Sequence, residues 1–349
     1  MIVIDIDLSR KLRNMTFLLA CLIVVFHLPC GLNTETVSSR IVGFIKQEIC
    51  PIAVPCFFAV SGFFLGRQCD EAGWYHNVMR KKLSSLVVPY FAVNTLYLPF
   101  IYVYHNVLRL GEWPGNGMGF DFYTIGRIYG LNPFSMPACN AFWFIRSLWF
   151  FFLVSPLVVW VIRRSKTMAI LLVFVITILI HIQETCITDQ KWLYFFYDFF
   201  CMRGFLFFVG GLFLSRHRLF RCGWKWTVVL CSALVLVCWV AEMIESDSVL
   251  RVVTSILKLV LMSSVFYCFV PCGKWYEWLT KSSFAIFAFH QLLFVGYGFL
   301  VRGLGWRAFN WPLVDVTIPL LLGVGGPVFI SVIIKRCGRS LSLVFLGGR

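Results

Sequence analysis

The main ionisable side chains inside the long apolar stretches of this sequence are His27, Arg146, Asp198, Arg203, Lys258 and His290. Glu48 stands at the start of another such stretch. A charge at the centre of a hydrocarbon layer costs about 2.5–3.5 kcal/mol on the insertion scale, so such groups normally face a polar cavity or a partner. Their types suit group transfer to a hydroxyl. An imidazole takes the hydroxyl proton, and a guanidinium steadies the negative charge that develops in the transition state. His27 is therefore the candidate base and Arg146 its candidate anion-stabilising partner, with Glu48, Asp198 and Arg203 as candidate acceptor contacts. Plainer roles compete with each assignment. A histidine near a helix end more often caps or lies at the interface, and Arg146 close to the membrane surface can snorkel. Asp198 and Arg203, five apart, fit helical i,i+4 pairing poorly. Lys258 has no assigned role beyond helix packing or lipid contact.

The elements that must position these groups are transmembrane helices. Of the 349 residues, 60% are hydrophobic and only 13% charged, with 37 phenylalanines; soluble domains run near 45–50% apolar and about 25% charged. The excess exceeds what a water-soluble core of this size hides. A spanning helix needs about 20 mostly apolar residues. Ten segments qualify, at 15–32, 49–66, 84–104, 142–162, 167–183, 193–214, 227–244, 251–270, 283–301 and 313–334. No internal repeat relates them. The expected fold is thus all-α, a polytopic transmembrane bundle of about ten helices forming one domain over 1–349. Basic runs such as Arg10-Lys11, Arg80-Lys81-Lys82, Arg163-Arg164 and Lys335-Arg336 fall on one side of this arrangement, which predicts both termini in the cytoplasm. On this topology His27, Glu48, Arg146, Asp198 and Arg203 share a depth toward the outer face, and His290 lies nearer the middle.

A net charge of +15 would suggest nucleic acid in a soluble chain. Here the charges sit in short runs between apolar segments, so topology explains them and no nucleic-acid partner is expected. The N-terminal basic residues followed by an apolar run resemble a signal peptide, but no small-residue cleavage pattern follows, so this reads as a retained first helix. Fourteen cysteines show no zinc spacing, and no metal is expected. Most read as small hydrophobes. Cys30, Cys50, Cys139 and Cys186 fall near the outer face, where a disulfide is open to them. The linker 105–141 is rich in Gly, Pro and Asn and either packs over a helix mouth or stays solvated. Arg80, Lys81 and Lys82 anchor topology, bind anionic lipid, or grip the phosphates of a nucleotide-bearing donor.

Four segments carry a resemblance. They are Leu12-Arg13-Asn14 running to Val24-Val25-Phe26-His27, then Val54-Pro55-Cys56-Phe57-Phe58-Ala59-Val60-Ser61-Gly62-Phe63-Phe64-Leu65, then Phe142-Trp143-Phe144-Ile145-Arg146-Ser147-Leu148, and last Ser282-Ser283-Phe284-Ala285-Ile286-Phe287-Ala288-Phe289-His290. In order and spacing the chain resembles the acyltransferase 3 family from about residue 8 to 335, the Ser61-Gly62-Phe63 piece being the most specific. The resemblance implies a multi-pass protein of the inner (plasma) membrane. It implies transfer of an acyl group, often acetyl, from cytoplasmic acyl-CoA to hydroxyls of envelope glycans or lipid-linked saccharides. By position it makes His27 the general base. Acyl-CoA would dock against Arg80, Lys81 and Lys82, with its acyl chain directed past Ser61 toward His290. Thr16 stands where the resemblance expects an arginine eleven residues before the histidine, with Arg13 one turn earlier, and Ser85 replaces the second of an expected arginine pair.

Two other classes accommodate the same buried charges. A transporter or flippase would line a cavity with His, Arg and Asp, and such folds commonly carry inverted repeats, which this sequence lacks. A non-catalytic relative would bind glycan or lipid, and the Thr16 and Ser85 departures motivate it.

Overall fold

The computed structural model describes residues 6–29, 37–103, 122–131, 135–186, 200–217, 224–244, 249–303 and 312–348. The described elements are helices, with no strand among them. This is the expected solution for an apolar chain, because in hydrocarbon a helix satisfies its backbone donors and acceptors within itself. Six described helical stretches are long and apolar enough to cross a membrane: Arg40–Gln68, Trp74–Phe100, Asn140–Arg164, Val252–Phe269, Ser283–Val301 and Val316–Cys337. Shorter apolar helices cover Lys166–Ile182 and Val228–Cys238. The first helix, α1 (Ile6–Phe26), carries Arg10, Lys11 and Arg13 in its opening turns.

Two helices begin well before the apolar segments that announce them. Helix α2 (Val37–Phe44) runs through a π turn at Ile45–Ile49 and a 3-10 turn at Cys50–Ile52 into α3 (Ala53–Gln68). Helix α4 (Trp74–Lys82) runs through a π turn at Leu83–Val87 into α5 (Val88–Tyr102). Each π turn contains the residue four before a proline, Gln47 before Pro51 and Ser85 before Pro89. A proline in a continuous helix clashes with the carbonyl at i−4 and offers it no N–H, and one wider turn relieves both problems without breaking the rod. Arg80, Lys81 and Lys82 therefore lie on the last turn of a helix, where the sequence suggested a loop leading into one. No Gly or Pro separates Trp74 from Val88, so nothing stops the helix between them.

The remaining helices are α6 (Phe122–Ile128), α7 (Trp143–Arg164), α8 (Lys166–Cys186), α9 (Met202–His217), α10 (Trp224–Ile244), α11 (Val249–Phe269), α12 (Glu277–Thr280), α13 (Ser283–Gly303), α14 (Pro312–Cys337) and α15 (Arg339–Leu346). Helix α6 occupies part of the Gly-, Pro- and Asn-rich linker 105–141. Helix α15 extends beyond the last expected span.

The described chain forms two compact units, one comprising 1–19, 51–79 and 150–275, the other 20–50, 80–149 and 276–349. In the first unit α3 and α9 pack backbone to backbone. A Cβ on Gly62 would lie 1.9 Å from the Phe208 carbonyl oxygen, and one on Gly211 would lie 1.9 Å from that of Ala59. Glycine at such crossings lets membrane helices approach closely enough for dispersion and backbone contacts to hold them. Asp70, just past α3, accepts from Arg163 at 3.1 Å and Arg216 at 3.2 Å, joining the ends of α3, α7 and α9. Burial pushes the neighbouring Cys69 thiol up to about 11, with the Arg163 charge pulling the other way. Asn14 on α1 is buried and donates to the carbonyls of Pro271 and Gly273.

In the second unit α13 packs on α14, and α15 packs on α14 and α5. Gly347 ends α15 in the left-handed conformation (φ +65°), where a Cβ would meet the Ser85 carbonyl oxygen at 2.7 Å. Phe142 is stacked between Tyr90 and Phe287, with ring centres 5.8 and 5.7 Å away. Cys50 and Cys139 are unbridged, buried thiols, while Cys30 and the Cys186 side chain lie outside the described residues.

Candidate site at the end of the first helix

His27 follows the last residue of α1, its backbone N–H still bonded to the Ile23 carbonyl at 3.1 Å. The half-buried ring meets Phe26 edge-on and lies 5.3 Å, centre to centre, from the imidazole of His290. His290 is 0% exposed. It sits in the second turn of α13, whose Phe284, Phe287 and Phe289 are also buried, and Phe294 closes over its ring edge-on. The Nδ1 atom of His290 lies 3.0 Å from both the Ile286 and the Phe287 carbonyl oxygens. Carbonyl oxygens only accept, so Nδ1 carries the hydrogen and donates to both. Its Nε2 is buried with no hydrogen-bond partner among the described residues.

A cation accompanies this pair. Lys46, in the π turn between α2 and α3, donates from Nζ to the Leu28 carbonyl at 2.7 Å, one residue from His27. Its charge is near enough to act on the His27 imidazole. Glu48 lies in the same π turn and is half-buried. In the sequence Lys46 falls in the linker between the first two apolar segments, and Pro51 reads there as a break rather than as a wider turn within a continuous helix.

Arg146 is 6% exposed and bound elsewhere in the same unit. Its Nη1 donates to the carbonyls of Gly130 at 2.7 Å and Ser135 at 3.0 Å, clasping the two ends of the linker beyond α6. Other polar groups hold the same linker. Asn94 is 0% exposed, accepts from the Cys139 N–H at 2.9 Å and donates to the Tyr90 carbonyl at 2.8 Å. The Tyr90 hydroxyl donates to the Tyr129 carbonyl at 2.6 Å. Gln291, next to His290, accepts from the Ala141 N–H at 3.2 Å. Burial pushes the Cys139 thiol up to about 12, so it stays protonated. The described part of the linker, 122–131 and 135–141, thus packs down through buried polar contacts; the sequence had left packing and solvation both open.

The other expected site residues are distributed as follows. Arg80 and Lys81 are exposed and Lys82 half-buried, all on the last turn of α4. Ser61 is half-buried on α3 beside the tight Gly62 crossing, and Arg203 is half-buried in the first turn of α9, both in the other unit. Asp198 lies outside the described residues. Thr16 bonds its own helix, donating to the Arg13 carbonyl at 2.8 Å. The structure therefore brings together His27, His290 and Lys46, and commits Arg146 to the linker carbonyls.

A family model described as an acyltransferase domain (acyltransferase 3) matches residues 12–336. The succinoglycan biosynthesis protein ExoH of Rhizobium meliloti (strain 1021) is 22% identical over 184 residues, covering 50% of this chain and 49% of that protein. The chain thus matches that relative over about half its length. No solved structure matches it.

Proposed function

The chain belongs to the acyltransferase 3 family, and from that membership we propose that it transfers an acyl group, acetyl in the simplest case, from cytoplasmic acyl-CoA to a hydroxyl of an envelope saccharide or lipid-linked glycan in the inner (plasma) membrane. The relative named for succinoglycan biosynthesis supports a glycan acceptor. The observation that carries the reading is the half-buried His27 imidazole, with a buried second imidazole 5.3 Å away and the Lys46 ammonium one residue along.

In this reaction His27 removes the acceptor hydroxyl proton as the oxygen attacks the thioester carbonyl. The tetrahedral oxyanion forms next to a cation, and the departing thiolate of coenzyme A recovers the proton from the His27 imidazolium. Lys46 supplies the nearby positive charge; Arg146 was the sequence candidate for that part. Arg80, Lys81 and Lys82 engage the donor's phosphates, a task suited to cations clustered on one exposed helical turn. Glu48, in the same unit as His27, is proposed to contact the acceptor.

The test is O-acylation of the envelope glycan in cells whose only copy carries His27→Ala, read by mass as one acyl group per repeat. A loss of at least about a hundredfold is expected for a missing general base. Wild-type acylation at normal protein abundance would overturn the assignment of His27.

A further inference from the structure

We propose that His290 is a positioning residue for His27: its Nε2 receives a His27 N–H and holds that imidazole in one tautomer, with the opposite nitrogen bare toward the acceptor hydroxyl. The inference rests on the reading of His27 as base and adds what fixes that base in its working form.

Two backbone carbonyls, Ile286 and Phe287, hold the His290 Nδ1–H at 3.0 Å each. That fixes both the ring's orientation and its tautomer, since a neutral imidazole with hydrogen on one nitrogen has a lone pair on the other. The lone pair on Nε2 is fully buried and has no partner among the described residues. Buried polar atoms are satisfied almost everywhere in folded proteins, so one left with a bare lone pair calls for a specific role. Beside this imidazole lies the His27 ring, 5.3 Å away centre to centre and inclined by 37°. An N–H···N bond between imidazoles needs about 2.9 Å between nitrogens, which with about 1.1 Å from each ring centre to its nitrogen gives about 5.1 Å. The observed separation is within a few tenths of that value. Rotation of the half-buried His27 ring about its Cβ–Cγ bond can turn a nitrogen toward Nε2, and that torsion has a broad, shallow profile.

The chemistry follows from the pairing. A free neutral imidazole divides its population between two tautomers, and only one presents a lone pair to a given hydroxyl. A fixed acceptor on the far side removes the unproductive tautomer. When His27 takes the acceptor's proton, the bond to His290 strengthens because its donor is now charged. No proton passes to His290, whose Nδ1 remains bonded to the carbonyls. Its role is to orient, as a carboxylate does behind the histidine of a hydrolytic triad.

The experiment uses the full chain reconstituted in lipid bilayers with histidine labelled with 15N, the His27 signals being identified by their disappearance in His27→Asn. In wild type one His27 nitrogen is expected to be protonated and the other bare. In His290→Phe, which keeps the ring's bulk and removes the acceptor, both nitrogens should become a mixture, with the remaining histidine signals unmoved as proof of fold. His290→Gln, whose amide oxygen can replace Nε2, should restore the single tautomer. In acyl transfer, His290→Phe should lower kcat at least tenfold with KM unchanged, and His290→Gln should stay within a fewfold of wild type. A His27 tautomer indifferent to His290→Phe overturns the proposal, as does His290→Gln behaving like His290→Phe, or a change confined to KM. If the wild-type protein transfers no acyl group, that result counts against the acyltransferase reading alone, and the tautomer measurement still decides the pairing.

Discussion

At the scale of single residues, the costly groups sort by what already satisfies them. Arg146 bridges the Gly130 and Ser135 carbonyls, and hydrogen bonds to a charged group are worth about 1.5–3 kcal/mol. Arg146→Ala is expected to destabilise the protein by about 2–3 kcal/mol, seen as a lower Tm in detergent. Arg146→Lys should recover less than half of the loss, because its ammonium ends one bond short of Nη1, the single nitrogen that donates to both Gly130 and Ser135. Full recovery by lysine would show that the charge, and not the two-carbonyl clasp, is what matters. The opposite case is the exposed pair Arg80 and Lys81, which have space for a ligand. Replacing both by alanine should raise KM for acyl-CoA severalfold with kcat nearly unchanged, and the difference should shrink as salt is raised from about 0.05 to about 0.5 M, since the screening length falls from about 14 Å to about 4 Å over that range. A salt-independent defect would argue against direct contact with the donor's phosphates.

At the scale of elements, the Ser61-Gly62-Phe63 segment acquires a packing meaning. The sequence marked Gly62 through a resemblance; the structure gives the reason a side chain is excluded there, with the Phe208 carbonyl oxygen 1.9 Å from where a Cβ would stand. Gly62→Ala is expected to cost about 3 kcal/mol, at the upper end of overpacking effects because backbone must move. Gly210→Ala, with nothing within 4 Å of the added carbon, should be neutral or stabilising by up to about 1 kcal/mol from helix propensity alone. Equal Tm values for the two variants would show that α3 and α9 do not cross so closely. The apolar runs announced the helices but misplaced their starts. Hydropathy marks where a helix meets hydrocarbon, whereas Arg80, Lys81 and Lys82 are good helix formers that extend the rod past that boundary. The π turns ahead of Pro51 and Pro89 were likewise legible only in hindsight, since a proline signals a break and only packing decides that the helix continues. The pairing of His27 with His290 could not be read from spacing at all. The two residues are far apart in sequence, and depth along a helix says nothing about the azimuth at which a side chain leaves it. The same missing coordinate concealed that Arg146, at a suitable depth, is turned to the linker.

At the scale of the whole molecule, the charge pattern makes a claim about orientation that cysteine chemistry can test. Cys272, after α11, and Cys337, at the end of α14, are exposed thiols that lie beside the basic residues Lys274, Lys335 and Arg336. Lys and Arg accumulate in the cytoplasmic loops of membrane proteins, so both thiols are assigned to the inside. Cys139 provides an internal negative control. It is 0% exposed, and with its thiol pushed up to about 12 the reactive thiolate is scarce at pH 8, because thiolate forms only as pH approaches that value. Single-cysteine variants retaining Cys272, Cys337 or Cys139 should therefore all resist a membrane-impermeant maleimide applied to intact spheroplasts. In inside-out vesicles the Cys272 and Cys337 variants should label and the Cys139 variant should not. Labelling of Cys337 from the exterior would place the C-terminus outside. The basic run on α4 would then need an independent argument for facing the cytoplasm, where acyl-CoA is made available, and the proposed donor site would lose its supply.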